Sequence, residues 1–108
     1  MTFNVDQALS CLDAYFKDTA ALYDYRRHRE RYRSDAQMVA SLASDGQLLE
    51  IGSAPCHTTA LLKLMGIDAH GVDLRPERCQ AIIKHFELNV TQCDIEQQPL
   101  PFPDHNFP

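Results

Sequence analysis

The first part of the chain carries apolar side chains every three to four residues, which is the period of a helix with one buried face. This pattern predicts a helix over residues 6–24, with Asp6 as its N-cap. A second apolar stripe begins at Tyr32 and runs to Ser44, before the turn-forming pair at 45–46. Residues 1–46 are therefore expected to form an N-terminal helical cap.

From residue 47 onwards, short apolar runs alternate with helical segments. The pattern predicts strands at Leu48–Ile51, Ala69–Asp73 and Val90–Cys93. Pro55 and Pro76 each suit the first position of the following helix, because the missing N–H of proline costs nothing there. Strands that alternate with helices indicate an α/β domain with a parallel sheet and right-handed crossovers.

Composition and charge narrow the class of protein. The chain has 108 residues, of which 44% are hydrophobic and 23% charged, as expected for one soluble domain. No apolar run approaches the roughly 18–20 residues of a membrane span, and the N-terminus does not resemble a signal peptide. The net charge of −5 disfavours nucleic acid as a partner. We therefore expect a cytoplasmic protein without a membrane partner.

The cysteines and histidines give no sign of a metal site. Cys11, Cys56, Cys79 and Cys93 form no CxxC pair, and the five histidines form no HxxxH or HExxH pattern. We expect reduced cysteines that mostly act as small apolar side chains, and no bound metal.

Basic residues are concentrated in one segment. Half of the ten Lys and Arg residues fall between Arg26 and Arg33, interleaved with or close to three tyrosines: Tyr23, Tyr25 and Tyr32. Such a surface would suit a phosphate or an anionic substrate. The alternative is a solvated helix face on which Glu30 and Asp35 supply ion-pair partners.

The turn after the first strand and an acid 21 residues beyond Gly52 are typical of a nucleotide-binding unit. The dinucleotide spacing GxGxxG would place His57 at its third position, whereas GxGxG would place Cys56 there. The acid, Asp73, would hold ribose hydroxyls or would cap the next helix. His57 is interpreted as a surface histidine, with proton transfer as the alternative. Cys56 is interpreted as a small residue, with a thiol of depressed pKa as the alternative.

The segment after the third strand, CDIEQQPLPFPDHNF at 93–107, makes the pattern more specific. Together with LEIG at 49–52 and GVDL at 71–74, it resembles class I S-adenosylmethionine-dependent methyltransferases of the methyltransferase type 11 kind. The resemblance covers residues 47–108, with the three segments in the order and spacing of that family.

The resemblance implies a cofactor site for S-adenosylmethionine made of eight residues: Glu50, Gly52, Ser53, Ala54, Asp73, Leu74, Asp94 and Ile95. The first four would surround the methionine part of the cofactor. Asp73 would hold the ribose, and Leu74 would pack on the adenine. Asp94 would accept a hydrogen bond from the adenine amino group, and the Ile95 N–H would meet a ring nitrogen. The resemblance assigns no catalytic residue.

The implied fold is an α/β, Rossmann-like parallel half-sheet of strand order 3-2-1, with helices on both faces and the N-terminal helical segment. Residues 47–108 would be a truncated cofactor-binding domain, or fragment, because the family's strands four to seven are missing. The open edge of the first strand would then be covered by a partner chain, by self-association or by the N-terminal helices.

The implied function is methyl transfer from S-adenosylmethionine to an unidentified small-molecule acceptor. Two alternatives stay open. The first is a non-catalytic cofactor-binding or interaction module. The second is a nicotinamide-dependent Rossmann enzyme, which His57 and the LPFPDHNF run disfavour.

Overall fold

The computed structural model describes residues 2–42, 47–103 and 107. The described helices and strands alternate as the sequence pattern predicts. In chain order they are α1 (Val5–Phe16), α2 (Leu22–Leu42), β1 (Leu48–Ile51), α3 (His57–Leu64), β2 (Ala69–Asp73), a 3-10 turn (Pro76–Cys79), α4 (Gln80–Phe86) and β3 (Asn89–Gln92).

The three strands form one parallel sheet with β2 in the centre. Glu50 of β1 lies opposite Gly71 of β2, and Gly71 lies opposite Val90 of β3. This arrangement confirms the predicted α/β fold and the 3-2-1 strand order. Because the strands are parallel, the loops that follow all three meet at one edge of the sheet.

The described helices join a single hydrophobic cluster. Helices α1 and α2 pack on each other and on α3, and α3 contacts α4 and β2. Side chains alternate between the two faces of a strand, so Ala69 faces this cluster and His70 faces away from it. The His70 ring instead contacts Phe102 and Phe107, with ring centroids 6.0 and 5.8 Å away. The C-terminal segment therefore lies against that face of β2.

The predicted first helix is wrong in its extent and its cap. Helix α1 ends at Phe16 and α2 begins at Leu22, so the chain reverses within the predicted 6–24 segment. The reversal lets Tyr25 stack on Phe16 at a centroid distance of 4.5 Å. The N-cap is Asn4 rather than Asp6, because the Asn4 side chain accepts from the Gln7 N–H at 2.8 Å in a capping box.

The helix after β1 begins later than predicted. It starts at His57, whereas Pro55 lies in the preceding turn, joined to Ala54 by a cis peptide bond. Cys56 adopts a left-handed conformation with φ of 68°, and its N–H donates to the Ser53 carbonyl at 2.6 Å. This hydrogen bond closes a compact turn over residues 53–56, and the helix begins at the next residue, His57.

Two smaller points concern element boundaries. The third strand is Asn89–Gln92, one residue earlier than predicted. The predicted end of the second helical stripe at Ser44, and the turn at 45–46, lie outside the described residues.

In the part of the chain that the structure describes, no helix has the length and apolar character needed to cross a membrane. A cytoplasmic location stays a prediction.

Candidate functional site

A cavity of about 310 Å³ opens where β1, β2 and β3 end. Five of the eight predicted cofactor residues line it: Gly52, Asp73, Leu74, Asp94 and Ile95. They come from the three loops at the carboxyl edge of the sheet, where open α/β sheets bind ligands. The structure thus brings most of the predicted cofactor residues together at one cavity.

Asp73 connects the first two loops. One of its carboxylate oxygens accepts a hydrogen bond from the Ala54 N–H at 3.2 Å, and the other accepts from the Arg75 N–H at 2.9 Å. The following 3-10 turn has Arg75 as its N-cap and no side-chain cap bond. The N-cap position is therefore Arg75 rather than Asp73, although Asp73 binds the Arg75 N–H immediately before the 3-10 turn. Each carboxylate oxygen has a second lone pair that is available to a ligand hydroxyl.

Apolar side chains form a platform beside this carboxylate. Leu74 is 54% exposed, Ile95 is 52% exposed, and Ile51 is 56% exposed, and all three line the cavity. The platform has the chemistry needed to pack against a planar base.

Asp94 organises the third loop. One oxygen of its carboxylate accepts from the Glu96 N–H at 3.1 Å, and its own N–H donates to the Gln98 side chain at 2.9 Å. The Cys93 N–H donates to the Asp73 carbonyl at 2.9 Å, which fixes this loop against the second. Asp94 therefore presents a carboxylate to the cavity from a turn with several hydrogen bonds.

The loop after β1 presents backbone to the cavity. Gly52 has φ of 72°, and a Cβ added there would meet no atom within 4 Å. Glycine is needed for this conformation, and the space beside it is open. The next residue, Ser53, is buried away from the cavity against Gly71, whose notional Cβ would lie 2.8 Å from the Ser53 side chain.

Glu50 is placed on the helix-facing side of the sheet and does not line the cavity. The Thr59 hydroxyl of α3 donates to its carboxylate. Burial raises the pKa of Glu50, and the Thr59 hydrogen bond partly opposes that rise. Five of the eight predicted residues therefore line the cavity. The other three hold the loop after β1 in place: Glu50 binds Thr59, Ser53 packs on Gly71, and the Ala54 N–H donates to Asp73.

A scan against models of protein families, a search of curated proteins and a search of solved structures each found no match for this chain. The resemblance to class I methyltransferases therefore rests on the motif residues and on the positions that they occupy in this fold.

His57 is not a surface histidine, so that interpretation is wrong. It is 7% exposed and surrounded by Phe16, Tyr25 and Tyr32, with ring centroids 4.6–5.7 Å away. Burial, with a smaller contribution from His28, lowers the pKa of His57 to about 4. Its Nδ1 has no hydrogen-bond partner among the described residues. The imidazole is thus a neutral member of the core between α3 and the N-terminal helices.

Cys56 does not have a depressed pKa. The side chain is fully buried, and burial raises the pKa of its thiol to about 12. Cys56 is thus a small buried residue, and it adopts the left-handed conformation that favours glycine. The four cysteines carry no disulfide, and the described residues contain no cluster of three potential metal ligands.

The basic segment of α2 serves partly to hold α1. Arg29 pairs with Asp13 at 2.9 Å and Arg33 pairs with Asp6 at 2.9 Å. The main carboxylate partners therefore lie on α1; Asp35 is in none of the described ion pairs, and Glu30 contacts Arg29 at 3.3 Å. Of the three tyrosines, Tyr25 and Tyr32 are buried and only Tyr23 is exposed. They do not form a stacking surface together.

Sequence reasoning missed four residues that line the cavity: Ile51, Val72, Cys93 and Glu96. It also missed Gly71, whose lack of a side chain lets the Ser53 loop approach β2. A glycine inside a strand is itself a signal of such close approach. The other missed residues lie close to the ends of the three strands, so topology explains their position at the cavity.

Proposed function

We propose that the chain binds S-adenosylmethionine in this cavity and acts as a methyltransferase on a small-molecule acceptor. One observation carries the proposal. Residues from three separate loops that match the family's cofactor motifs line a single cavity at the carboxyl edge of a parallel sheet. That edge is the general ligand-binding position of open α/β folds.

The residues present suit the nucleoside part of the cofactor. The cavity of about 310 Å³ lies at the lower end of the range of small-molecule sites. Leu74 and Ile95 would hold the base between apolar surfaces. Asp73 would accept hydrogen bonds from the ribose hydroxyls, and Asp94 would accept one from the adenine amino group.

S-adenosylmethionine supplies an activated methyl group on a sulfonium, and the protein supplies binding and orientation. In this chain the hydrogen bonds from Ala54 and Arg75 hold the Asp73 carboxylate in one orientation before a ligand arrives. Such pre-organisation lowers the entropy cost of placing the cofactor. The open backbone at Gly52 leaves room for the substituent on the ribose.

The proposal is tested by binding of S-adenosylhomocysteine and NAD, measured by calorimetry and by thermal shift. We expect S-adenosylhomocysteine alone to bind. At 100 times its dissociation constant it would stabilise the fold by about 2.7 kcal/mol. Asp73→Asn removes the charge and one acceptor oxygen, so it should weaken binding at least about tenfold. Asp18→Asn makes the same change in an exposed turn and should leave the affinity unchanged. A shift with NAD alone, or with neither ligand, would contradict the proposal.

A further inference from the structure

A second cavity lies between α1 and α2. It has a volume of about 210 Å³ and is lined by five residues: Asp13, Leu22, Tyr25, Arg26 and Arg29. None of these residues lines the cavity at the carboxyl edge of the sheet. The volume is below the roughly 300–1,000 Å³ of typical small-molecule sites, so only a small ligand would fit.

One wall of this second cavity is fixed by hydrogen bonds around Asp13. Its Oδ1 accepts from the Tyr25 hydroxyl at 2.6 Å and from Arg29 Nε at 2.9 Å, and its Oδ2 accepts from Arg29 Nη2 at 3.0 Å. Tyr25 is fully buried, which holds this wall in place. The hydrogen bond from Arg29 holds the pKa of Asp13 below its usual range, so the carboxylate is charged near pH 7. Arg29 and Asp13 therefore balance each other's charge.

Arg26 supplies a positive charge that this wall does not balance. Its side chain is exposed, and it forms no ion pair or side-chain hydrogen bond with any residue that the structure describes. The five N–H groups of its guanidinium are thus available to a ligand, in a planar fork that matches a carboxylate. Two guanidinium groups and one carboxylate line the cavity, so its net charge is positive.

The lining favours a singly charged organic acid over a phosphate. A single negative charge balances the unmatched Arg26, whereas the additional charge of a phosphate would be placed near the Asp13 carboxylate and repelled by it. Leu22 is partly buried and offers apolar surface to the carbon chain of such an acid.

We propose that this cavity is a binding site for a small organic acid, whose carboxylate accepts paired hydrogen bonds from Arg26. The site lies on the N-terminal helices and does not depend on the cofactor cavity. It gives part of the basic segment of α2 a role in binding, while Arg29 and Arg33 hold α1.

The test titrates propionate, propionamide or inorganic phosphate into the isotopically labelled full chain at constant ionic strength. Amide signals and arginine Nε–H signals are followed by NMR. We expect propionate to cause saturable shifts at Leu22, Tyr25 and Arg26. Propionamide has nearly the same shape without the charge and should cause none, and phosphate should bind at least severalfold more weakly than propionate.

Arg26→Gln tests the residue named, and it should weaken propionate binding at least about tenfold because the charged hydrogen bonds are lost. Arg27→Gln is the matched control. It makes the same change in net charge at the next position, and Arg27 is exposed, lies in none of the described ion pairs and does not line the cavity. The control should bind propionate as the unmodified chain does. Arg26→Lys keeps the charge without the fork, so its affinity should lie between the two.

Four results would overturn the proposal. They are the absence of saturable propionate shifts, equal affinity for propionamide, tighter binding of phosphate, and an equal loss of affinity in Arg26→Gln and Arg27→Gln. Arg26→Lys that binds as tightly as the unmodified chain would refute the paired hydrogen bonds. Binding of S-adenosylhomocysteine at the carboxyl edge is measured separately, so failure here leaves the proposed function standing.

Discussion

Gly71→Ala should destabilise the protein by displacing the loop after β1. Gly71 lies in the centre of the sheet, and a Cβ there would lie 2.8 Å from both Cβ and Oγ of Ser53. It would also lie 3.4 Å from a methyl of Val90, which is ordinary contact. Carbon atoms in contact are normally about 3.5–4.0 Å apart, so the Ser53 loop must move by roughly 0.7 Å or more.

Two opposing contributions set the change in the free energy of unfolding caused by Gly71→Ala. Forcing an extra methyl into a packed site costs about 1–3 kcal/mol. Replacing glycine returns about 0.4–1 kcal/mol, because it reduces the freedom of the unfolded chain. A net loss of about 1–2 kcal/mol would lower the Tm by roughly 4–16 °C in a domain of this size.

The assay is thermal and urea unfolding of Gly71→Ala, Ser53→Gly and the double variant. Ser53→Gly removes both clashing atoms, so the double variant should be more stable than the sum of the single changes predicts. Gly52→Ala serves as the control: no atom lies within 4 Å of its added Cβ, so its cost is backbone strain that Ser53→Gly should not relieve. Additive effects for Gly71 and Ser53, or a neutral Gly71→Ala, would refute the packing argument.

Between about pH 6.5 and pH 4 only the unfolded state takes up a proton at His57, so the free energy of unfolding of the unmodified chain should fall by up to about 3 kcal/mol as the pH falls through this range. The His57→Phe variant has no such proton and should lack this decrease. Urea unfolding that shows the same pH dependence for both proteins would contradict this. Arg29→Met should lower the free energy of unfolding by less than about 1 kcal/mol, because the side chains of Arg29 and Asp13 are 33% and 43% exposed and water screens the ion pair. A much larger decrease in urea unfolding would contradict this. Leu74→Asp should weaken binding of S-adenosylhomocysteine at least about tenfold with little loss of stability, because Leu74 is 54% exposed on the cavity wall; unchanged affinity in calorimetry would exclude Leu74 from the site.

The first strand could be predicted because Leu48–Ile51 is a short, mostly apolar run that ends at Gly52, and the other two because strand, loop acid, proline and helix recur about every 21 residues. The reversal between α1 and α2 could not, because residues 17–21 contain neither glycine nor proline and the helical period continues through Ala20 and Tyr23. The N–H and hydroxyl groups of Thr19 both donate to the Phe16 carbonyl in this turn, and the reversal is accompanied by a tertiary contact, the stacking of Tyr25 on Phe16. Local propensity carries no information about that contact.

The cavity residues could be predicted because topology alone brings the ends of parallel strands together. The orientation of Glu50 follows from strand alternation, since Leu48 and Glu50 share the face that packs on α3. The burial of His57 has no such signal. Its neighbours Phe16, Tyr25 and Tyr32 lie far upstream, so the aromatic cluster exists only after α1 and α2 have folded onto α3.

The most direct test of the account is a map of amide chemical-shift changes as S-adenosylhomocysteine is titrated into the isotopically labelled 12.3 kDa chain. We expect saturable shifts confined to the three loops at the carboxyl edge, with the largest changes at Gly52, Leu74 and Ile95. The amides of α2 and of the opposite edge of the sheet should change little. Shifts centred on the arginines of α2, or no shifts at saturating ligand, would contradict the claim that this cavity is the cofactor site.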